Sequence, residues 1–297
     1  MRPFRFFAGV AEVESASALA GKARHAEAAG FYGVLIPDHI VNVLAPLQAL
    51  AVVAAQTDRL RVGTLVLNND LRNPVVLAHE LLSLDNLSEG RLIVGLGAGW
   101  NQPEYELAGI PFDPHRLRAS RLEAAVARLK ELFVEGAEDF PKPVQKPRPP
   151  FLIGAGGRRL LEFAAREVEV VGLAPRIGRN GDPSLTAAAT DEKLGWIKAA
   201  AGDRFDGLEI HTYSALTGGA EVMADPRPRL REIADRMRSR RGVAYSETDL
   251  MESPHVFLGS RAQLVEKFLA MRERWGISWV SLPLHGFEEV VEQLANL

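Results

Sequence analysis

The sequence predicts an α/β fold, a (β/α)8 TIM barrel. Three observations carry that prediction: eight short apolar runs rich in β-branched residues, longer helical patterns between them, and a polar or glycine-rich segment straight after most of the runs. Alternation of this kind specifies a parallel sheet, because parallel neighbours need a crossover between them and a helix is the usual one. A chain of 297 residues with 47% hydrophobic and 25% charged content can bury such a core, and a single barrel domain over 1–297 uses nearly all of it.

The eight runs are Phe4 to Val10, Gly33 to Pro37, Arg61 to Leu67, Leu92 to Gly97, Phe151 to Gly154, Val168 to Leu173, Leu208 to Tyr213 and Ile277 to Leu282. Several are apolar nearly throughout, as in Val62-Gly63-Thr64-Leu65-Val66-Leu67, which fits strands covered on both faces. The helical segments carry readable ends. Asn73-Pro74 places a capping side chain before a proline at the first helical position, and Gly90 follows a helix running to about Leu87. Asp225-Pro226 repeats that start. Ser260 with Gln263 makes a capping box, followed by one apolar stripe of Leu264, Val265, Phe268 and Leu269. Leu122, Ala125, Val126, Leu129, Leu132 and Phe133 form another such stripe, expected to pack on the sheet.

Two stretches break the rhythm. Glu138 to Pro150 holds five prolines and reads as an extended connector between the fourth and fifth units. Ser214 to Gly259 is an insertion between the seventh strand and the last helix–strand unit, and it contains Arg227 to Arg241 with seven arginines. Glu232 and Asp235 interleave with those arginines and no stacking aromatics accompany them, so a solvated helix face is expected rather than a nucleic-acid patch.

Composition excludes several classes of function. The net charge of −3, from 35 basic and 38 acidic residues, gives no sequence-wide attraction to nucleic acid or anionic lipid. With no cysteine, disulfides, thiolate metal sites and thiol catalysis are absent. Met1 to Val10 does not read as a signal peptide, and no run reaches the roughly 18 apolar residues of a membrane span. The expected location is the cytoplasm, and the expected partner a small-molecule substrate.

Barrel enzymes build their sites on the residues that follow each strand. Here those are Pro37-Asp38-His39, Asn68-Asn69-Asp70, Gly97-Ala98-Gly99-Trp100-Asn101, Gly154-Ala155-Gly156-Gly157-Arg158-Arg159, Pro175-Arg176 and His285. The glycines at 154, 156 and 157 lie where a strand turns into a helix. They allow backbone N–H groups to approach a phosphate at that helix's N-terminus, with Arg158 adding charge; a tight turn is the competing reading. Gly95-Leu96-Gly97-Ala98-Gly99-Trp100 fails as a dinucleotide fingerprint because position 100, where the third glycine belongs, is Trp. Its glycines allow either a flat ring to approach or a bulge at the barrel mouth. His39, beside Asp38, is placed to move a proton or donate to a bound ring, unless the pair merely orders the rim. Metal hydrolysis is disfavoured: the first strand ends without a ligand pair, and His79-Glu80 lacks the second histidine of a zinc motif.

Taken together, Gly63-Thr64-Leu65-Val66-Leu67, Arg72-Asn73-Pro74, Leu84-Asp85-Asn86-Leu87-Ser88-Glu89-Gly90-Arg91 and Val94-Gly95-Leu96-Gly97-Ala98-Gly99-Trp100 resemble the luciferase-like monooxygenase superfamily. More narrowly, they resemble its branch that uses the deazaflavin coenzyme F420. The likeness extends to Pro37-Asp38-His39, to the Phe151 to Gly157 turn and to the late Gly259-Ser260 helix, so it spans nearly the whole chain. The resemblance implies a cofactor ring over a bulge in the third strand with a non-proline cis peptide near Leu65-Val66. It implies cofactor contacts from Asp38, His39, Gly97, Ala98 and Gly99, with Asn68 also assigned to the cofactor, and a phosphate at Gly156, Gly157 and Arg158. It further implies hydride transfer, since a deazaflavin has carbon in place of the flavin's reactive nitrogen and does not readily activate oxygen. His39 is then the polar partner at the ring edge, with Asp38 orienting it. Some deazaflavin dehydrogenases carry an acidic residue directly after the Gly-x-Gly of the fourth strand. This chain has Trp100 there, with Glu104 the nearest carboxylate, so both are assigned to the substrate pocket and a sugar-phosphate substrate is unsupported. The alternatives are an FMN-dependent monooxygenase of the same fold and a non-catalytic barrel that binds a cofactor or partner. A homodimer is the superfamily's habit.

Overall fold

The computed structural model describes residues 2–10, 15–41, 43–134, 140–176, 183–216, 218–295 and 297; positions 138 and 139 of the expected connector lie outside them. The predicted runs appear as β1 (Arg5–Gly9), β2 (Gly33–Ile36), β3 (Arg61–Thr64, continued as Leu67–Asn68), β4 (Leu92–Gly97), β5 (Phe151–Ala155), β6 (Val170–Leu173), β7 (Glu209–Tyr213) and β8 (Ile277–Pro283). They hydrogen-bond in the order β3-β2-β1-β8-β7-β6-β5-β4, and β3 also pairs with β4, so the ladder returns to its start. This is the (β/α)8 barrel the alternation predicted. By contacts the chain divides into two compact units, Gly9–Ala28 with Tyr32–Gly154, and Met1–Ala8 with Ala29–Phe31 and Ala155–Leu297.

In the first unit, β2 and β4 are buried at every residue, as expected of parallel strands with both faces covered. Helix Pro74–Leu87 begins as the sequence indicates, with Asn73 Oδ1 accepting from the Val75 and Val76 N–H groups. A cap of this kind is worth about 1 kcal/mol. Near the helix's end the carboxylate of Asp85, fully buried, accepts from the N–H groups of Val144 and Gln145 and from Gln145 Nε2. That carboxylate ties the proline-rich connector down through the Val144 and Gln145 N–H groups. Helix His115–Phe133 buries the expected stripe, and the stripe continues backward to Ala119 and Arg118.

In the second unit, helix Arg261–Trp275 starts with the predicted Ser260–Gln263 capping box. The insertion folds around an apolar cluster with Leu230, Ile233, Leu250 and Leu258 among its buried members, joined by Leu185 from outside the insertion. A short parallel pair, Ala220–Val222 with Phe257–Gly259, brackets it. The arginine-rich segment is helix Arg227–Arg241, which buries only Leu230 and Ile233. Its start differs from the expectation by one residue: Pro226 flanks the helix, and Asp225 caps the Arg227 N–H at 3.1 Å. Arg227, Arg229, Arg231 and Arg236 are paired with Asp225, Glu232 or Glu247, as a solvated face requires. No helix among the described residues is long and apolar enough to cross a membrane.

Candidate active site

The site begins with a defect in β3. Val62 and Gly63 lie opposite Leu92 and Ile93, whereas Leu67 and Asn68 lie opposite Leu96 and Gly97, so three residues of β3 face two of β4. The extra residue makes a bulge, and Leu65-Val66 within it is a cis peptide, where the resemblance implied one. Thr64 carries the ladder across the gap: its hydroxyl donates to Gly95 O at 2.8 Å and accepts from Gly95 N at 3.0 Å. A Cβ on Gly95 would lie 1.8 Å from Thr64 O, so only glycine fits there. Leu65 and Val66 stay half-exposed, an apolar step on an otherwise buried strand.

Gly97 has a packing use. A Cβ there would meet Val66 Cγ2 at 2.6 Å, so the space it leaves is filled by the bulge's own side chain rather than left open for a ring. Gly154 serves the same side chain at 3.1 Å. At Gly97 the missing Cβ thus makes room for the bulge.

Asp38 does not orient His39. Its buried carboxylate is gripped in bidentate fashion by Arg72, through Nη1 to Oδ2 and through Nη2 to Oδ1 at 3.0 Å, and it accepts from the Asn68 N–H at 2.9 Å. Those three bonds use its acceptor directions and join the end of β2 to the segment after the bulge. The partner of His39 is Glu104, whose Oε1 lies 2.8 Å from Nδ1. Glu104 sits on the short helix Gln102–Ala108 with a side chain only 5% exposed, while His39 is 31% exposed. Its carboxyl thus comes from beyond Trp100 and is the hydrogen-bond partner of the imidazole. Trp100, 66% exposed, stands edge-on to His39 with ring centroids 6.0 Å apart.

Behind this pair lies a network that sequence reasoning missed. Tyr105 is fully buried, and its hydroxyl lies 3.1 Å from Asn68 Oδ1, 3.2 Å from Asp70 Oδ2 and 3.2 Å from Ala98 O. Burial, then the Asp70 charge, push its phenol above the ordinary tyrosine range. Arg121 clamps Asp70 through two bonds and also reaches Asp113 at 2.7 Å. Arg118 is buried against the Phe112 ring face at 4.0 Å and donates to Gly99 O at 2.5 Å and Asp113 O at 2.9 Å. The available signal was phase: Arg118 falls four residues before Leu122, within the apolar stripe, where a charged residue is rarely found unless bonded.

In the second unit, Gly156 has a packing reason, since a Cβ there would lie 2.8 Å from Ala174 O. Gly157 is different. It immediately precedes helix Arg158–Glu167, and a Cβ there would meet nothing within 4 Å. Arg158 is exposed and pairs with Glu162 at 2.7 Å along its own helix. This unit also buries two histidines completely. His211 Nε2 lies 2.9 Å from Ser281 Oγ, and His255 Nδ1 lies 3.1 Å from Thr212 Oγ1. Burial pushes both imidazoles down to about 3, helped for His255 by the Lys193 charge. Neither carries charge near neutral pH.

Fold and strand ends define the class: a parallel (β/α)8 barrel with a bulged third strand and its polar side chains gathered after β2, β3 and β4. The chain belongs to the luciferase-like monooxygenase family, whose model matches residues 2–180. It is 35% identical over 169 residues to an F420-dependent glucose-6-phosphate dehydrogenase from Kineococcus radiotolerans, covering 50% of this chain and 49% of that protein. The chain spans about half the length of the curated relatives it matches. Among solved structures, the monooxygenase RslO1 from Streptomyces bottropensis matches with a TM-score of 0.74 at 21% identity, over 98% of each chain. The coenzyme F420-dependent tetrahydromethanopterin reductase from Methanopyrus kandleri matches with a TM-score of 0.70 at 17% identity, over 99% of this chain and 98% of that one. Both likenesses are of fold.

Proposed function

We propose that the chain is an F420-dependent oxidoreductase that transfers a hydride between the deazaflavin and a small organic substrate. The observation that carries the reading is the His39–Glu104 pair, a partly exposed imidazole against a buried carboxyl just after β2, the strand paired with the bulged β3. The dehydrogenase relative supports the choice of cofactor. The residues present fit such a group in two respects. Leu65 and Val66 offer a half-exposed apolar step for a flat ring. Gly157 leaves open space at the N-terminus of a ten-residue helix, where backbone N–H groups and the helix dipole favour a phosphate.

When bound, a deazaflavin supplies the acceptor or donor of hydride. The protein supplies orientation and proton management. Glu104 accepts from Nδ1–H of His39, which leaves Nε2 as the atom that exchanges a proton with substrate. In the oxidative direction Nε2 takes the proton of a substrate hydroxyl as the adjacent carbon gives up its hydride; in the reductive direction it returns that proton to a carbonyl oxygen. Trp100 walls the substrate side of this imidazole, Asn68, Ala98 and Gly99 border the ring, and Asp38 fixes the loop that carries His39. Gly156 and Arg158 complete the phosphate turn.

Titrating purified protein with F420 and, separately, with FMN while following cofactor fluorescence tests the reading. Saturable quenching of F420 is expected. Tight FMN binding without F420 binding would replace it with an FMN-dependent monooxygenase, and binding of either with no hydride transfer would leave a cofactor-binding barrel.

A further inference from the structure

The ends of β7 and β8 carry two hydroxyls above a buried imidazole. Phe6 packs on Phe268 of helix Arg261–Trp275, ring centroids 5.7 Å apart, so it faces the helix layer and its neighbour Phe7 faces inward. Phe7 meets Trp279 at 4.9 Å and His211 at 6.3 Å between rings, which puts both side chains on the inner face. Tyr213 and Ser281, two residues further along each strand, share that face and are partners in register. Thr212, between His211 and Tyr213, turns the other way and donates to Pro254 O at 2.8 Å. Burial stops at this level: His211 and Trp279 are buried, whereas Tyr213 and Ser281 are partly exposed. Barrel enzymes meet their ligands at the C-terminal ends of the strands, where these two hydroxyls stand.

His211 sets the direction of one of them. Its imidazole, held neutral by burial, has a single N–H proton to place. On Nε2 that proton meets Ser281 Oγ at 2.9 Å. Nδ1 has no partner, so a proton there would be a buried donor without an acceptor, the costlier arrangement. The proton therefore sits on Nε2, and Ser281 Oγ accepts it. The O–H of Ser281 then points away from the ring and meets no acceptor among the described residues. The Tyr213 hydroxyl also makes no hydrogen bond among them, and burial pushes its phenol above the ordinary tyrosine range, so it keeps its proton. Both oxygens thus have an O–H to donate.

No cation accompanies these donors in the segments that follow the two strands. Residues 214–226 and 281–297 contain neither lysine nor arginine, but hold Glu221, Asp225, Glu288, Glu289 and Glu292. On the inner face itself, Arg5 is paired with Glu209 at 3.1 Å. An anion would meet carboxylates without a counter-charge, whereas an uncharged oxygen needs only the donors.

We propose that Tyr213 and Ser281 are specificity-determining residues that donate to the oxygens of an uncharged carbonyl or hydroxyl substrate, and that His211 is the positioning residue that directs the Ser281 O–H. The inference rests on the function proposed above in taking a hydride-transfer substrate as the ligand.

Cyclohexanone and cyclohexanecarboxylate, which share a ring and differ in charge, test it by saturation-transfer NMR on the full chain loaded with F420 or FMN, whichever quenching shows to bind. The ketone is expected to bind about tenfold more tightly than the carboxylate. Tyr213→Phe and Ser281→Ala are each expected to weaken ketone binding by about fivefold, with cofactor affinity unchanged. His211→Phe is expected to match Ser281→Ala and to add nothing to it in the double variant, because both remove the same directed donor. Carboxylate binding as tight as the ketone's, no ketone binding, or ketone affinity unchanged in both hydroxyl variants overturns the proposal. Additive losses at His211 and Ser281 overturn the positioning role. If His211→Phe does not fold, nitrogen NMR of the histidine-labelled wild type decides that role: a protonated Nε2 supports it and a protonated Nδ1 overturns it. Should neither cofactor bind, the proposed function fails, and the same titrations on the cofactor-free chain judge the hydroxyl pair by the same outcomes.

Discussion

The two units treat histidine in opposite ways. In the unit running from Gly9 to Gly154, His39 stays partly exposed and meets a carboxyl at 2.8 Å. In the unit from Ala155 onward, His211 and His255 are fully buried, meet only hydroxyls or carbonyls, and are driven down to about 3. An apolar surround without a counter-charge holds an imidazole neutral, as at His211 and His255. His39 is the one of the three that is partly exposed and meets a carboxyl, which is why the proposed proton exchange is assigned to it; the other two report on folding.

The largest expected effect sharpens that contrast at Glu104. Glu104→Leu removes the acceptor of the His39 Nδ1 proton and Glu104→Gln only its charge; turnover of Glu104→Gln is expected to fall by about a hundred- to ten-thousandfold with cofactor affinity held, and that of Glu104→Leu at least as far; a rate within threefold of wild type would break the comparison. Asp38→Asn comes next. It disrupts a buried bidentate pair, so a stability loss of about 3 kcal/mol in urea unfolding is expected, in contrast to Glu104→Gln. Equal stability losses for the two variants would mean that Asp38 and Glu104 share one role.

Next is acid sensitivity. The folded pKa of each buried histidine lies below the unfolded value of about 6.5, so protons favour the unfolded chain between those values and stability falls as pH drops below about 6.5. Between pH 7 and 5 the loss is expected to be about 2 kcal/mol for each histidine. His211→Phe should lessen the pH dependence of the urea midpoint, and an unchanged slope would show that His211 does not titrate with unfolding. The smallest effect is expected at Gly157→Val: open space at Cβ predicts a stability change within about 0.5 kcal/mol, while F420 binding weakens by about tenfold if a phosphate lies there. Unchanged binding would remove the phosphate from this turn.

Much of the fold was legible because it depends on local periodicity. The eight runs, the Asn73 and Ser260 caps and the Leu122 to Phe133 stripe follow from side chains three or four positions apart or alternating along a strand. The candidate site was legible in its addresses but not in its pairings. His39 and Glu104 are 65 positions apart, and Asp38 and Arg72 are 34 apart. Nothing local says that Asp38, adjacent in sequence, turns away from His39 while Glu104 turns toward it. Family resemblance located the bulge, yet it could not say that Gly97 is emptied for Val66.

By itself the sequence determined the barrel class, the order of its units and the strand-end segments where chemistry would gather, because those are consequences of short-range patterning and chain length. Only the tertiary structure decided which carboxylate meets which base, that Arg118 donates to the Ala98 and Gly99 carbonyls, and that burial holds His211 and His255 neutral. Each of those depends on distances between elements far apart in the chain and on how much water reaches them, and neither is encoded in any short window of residues.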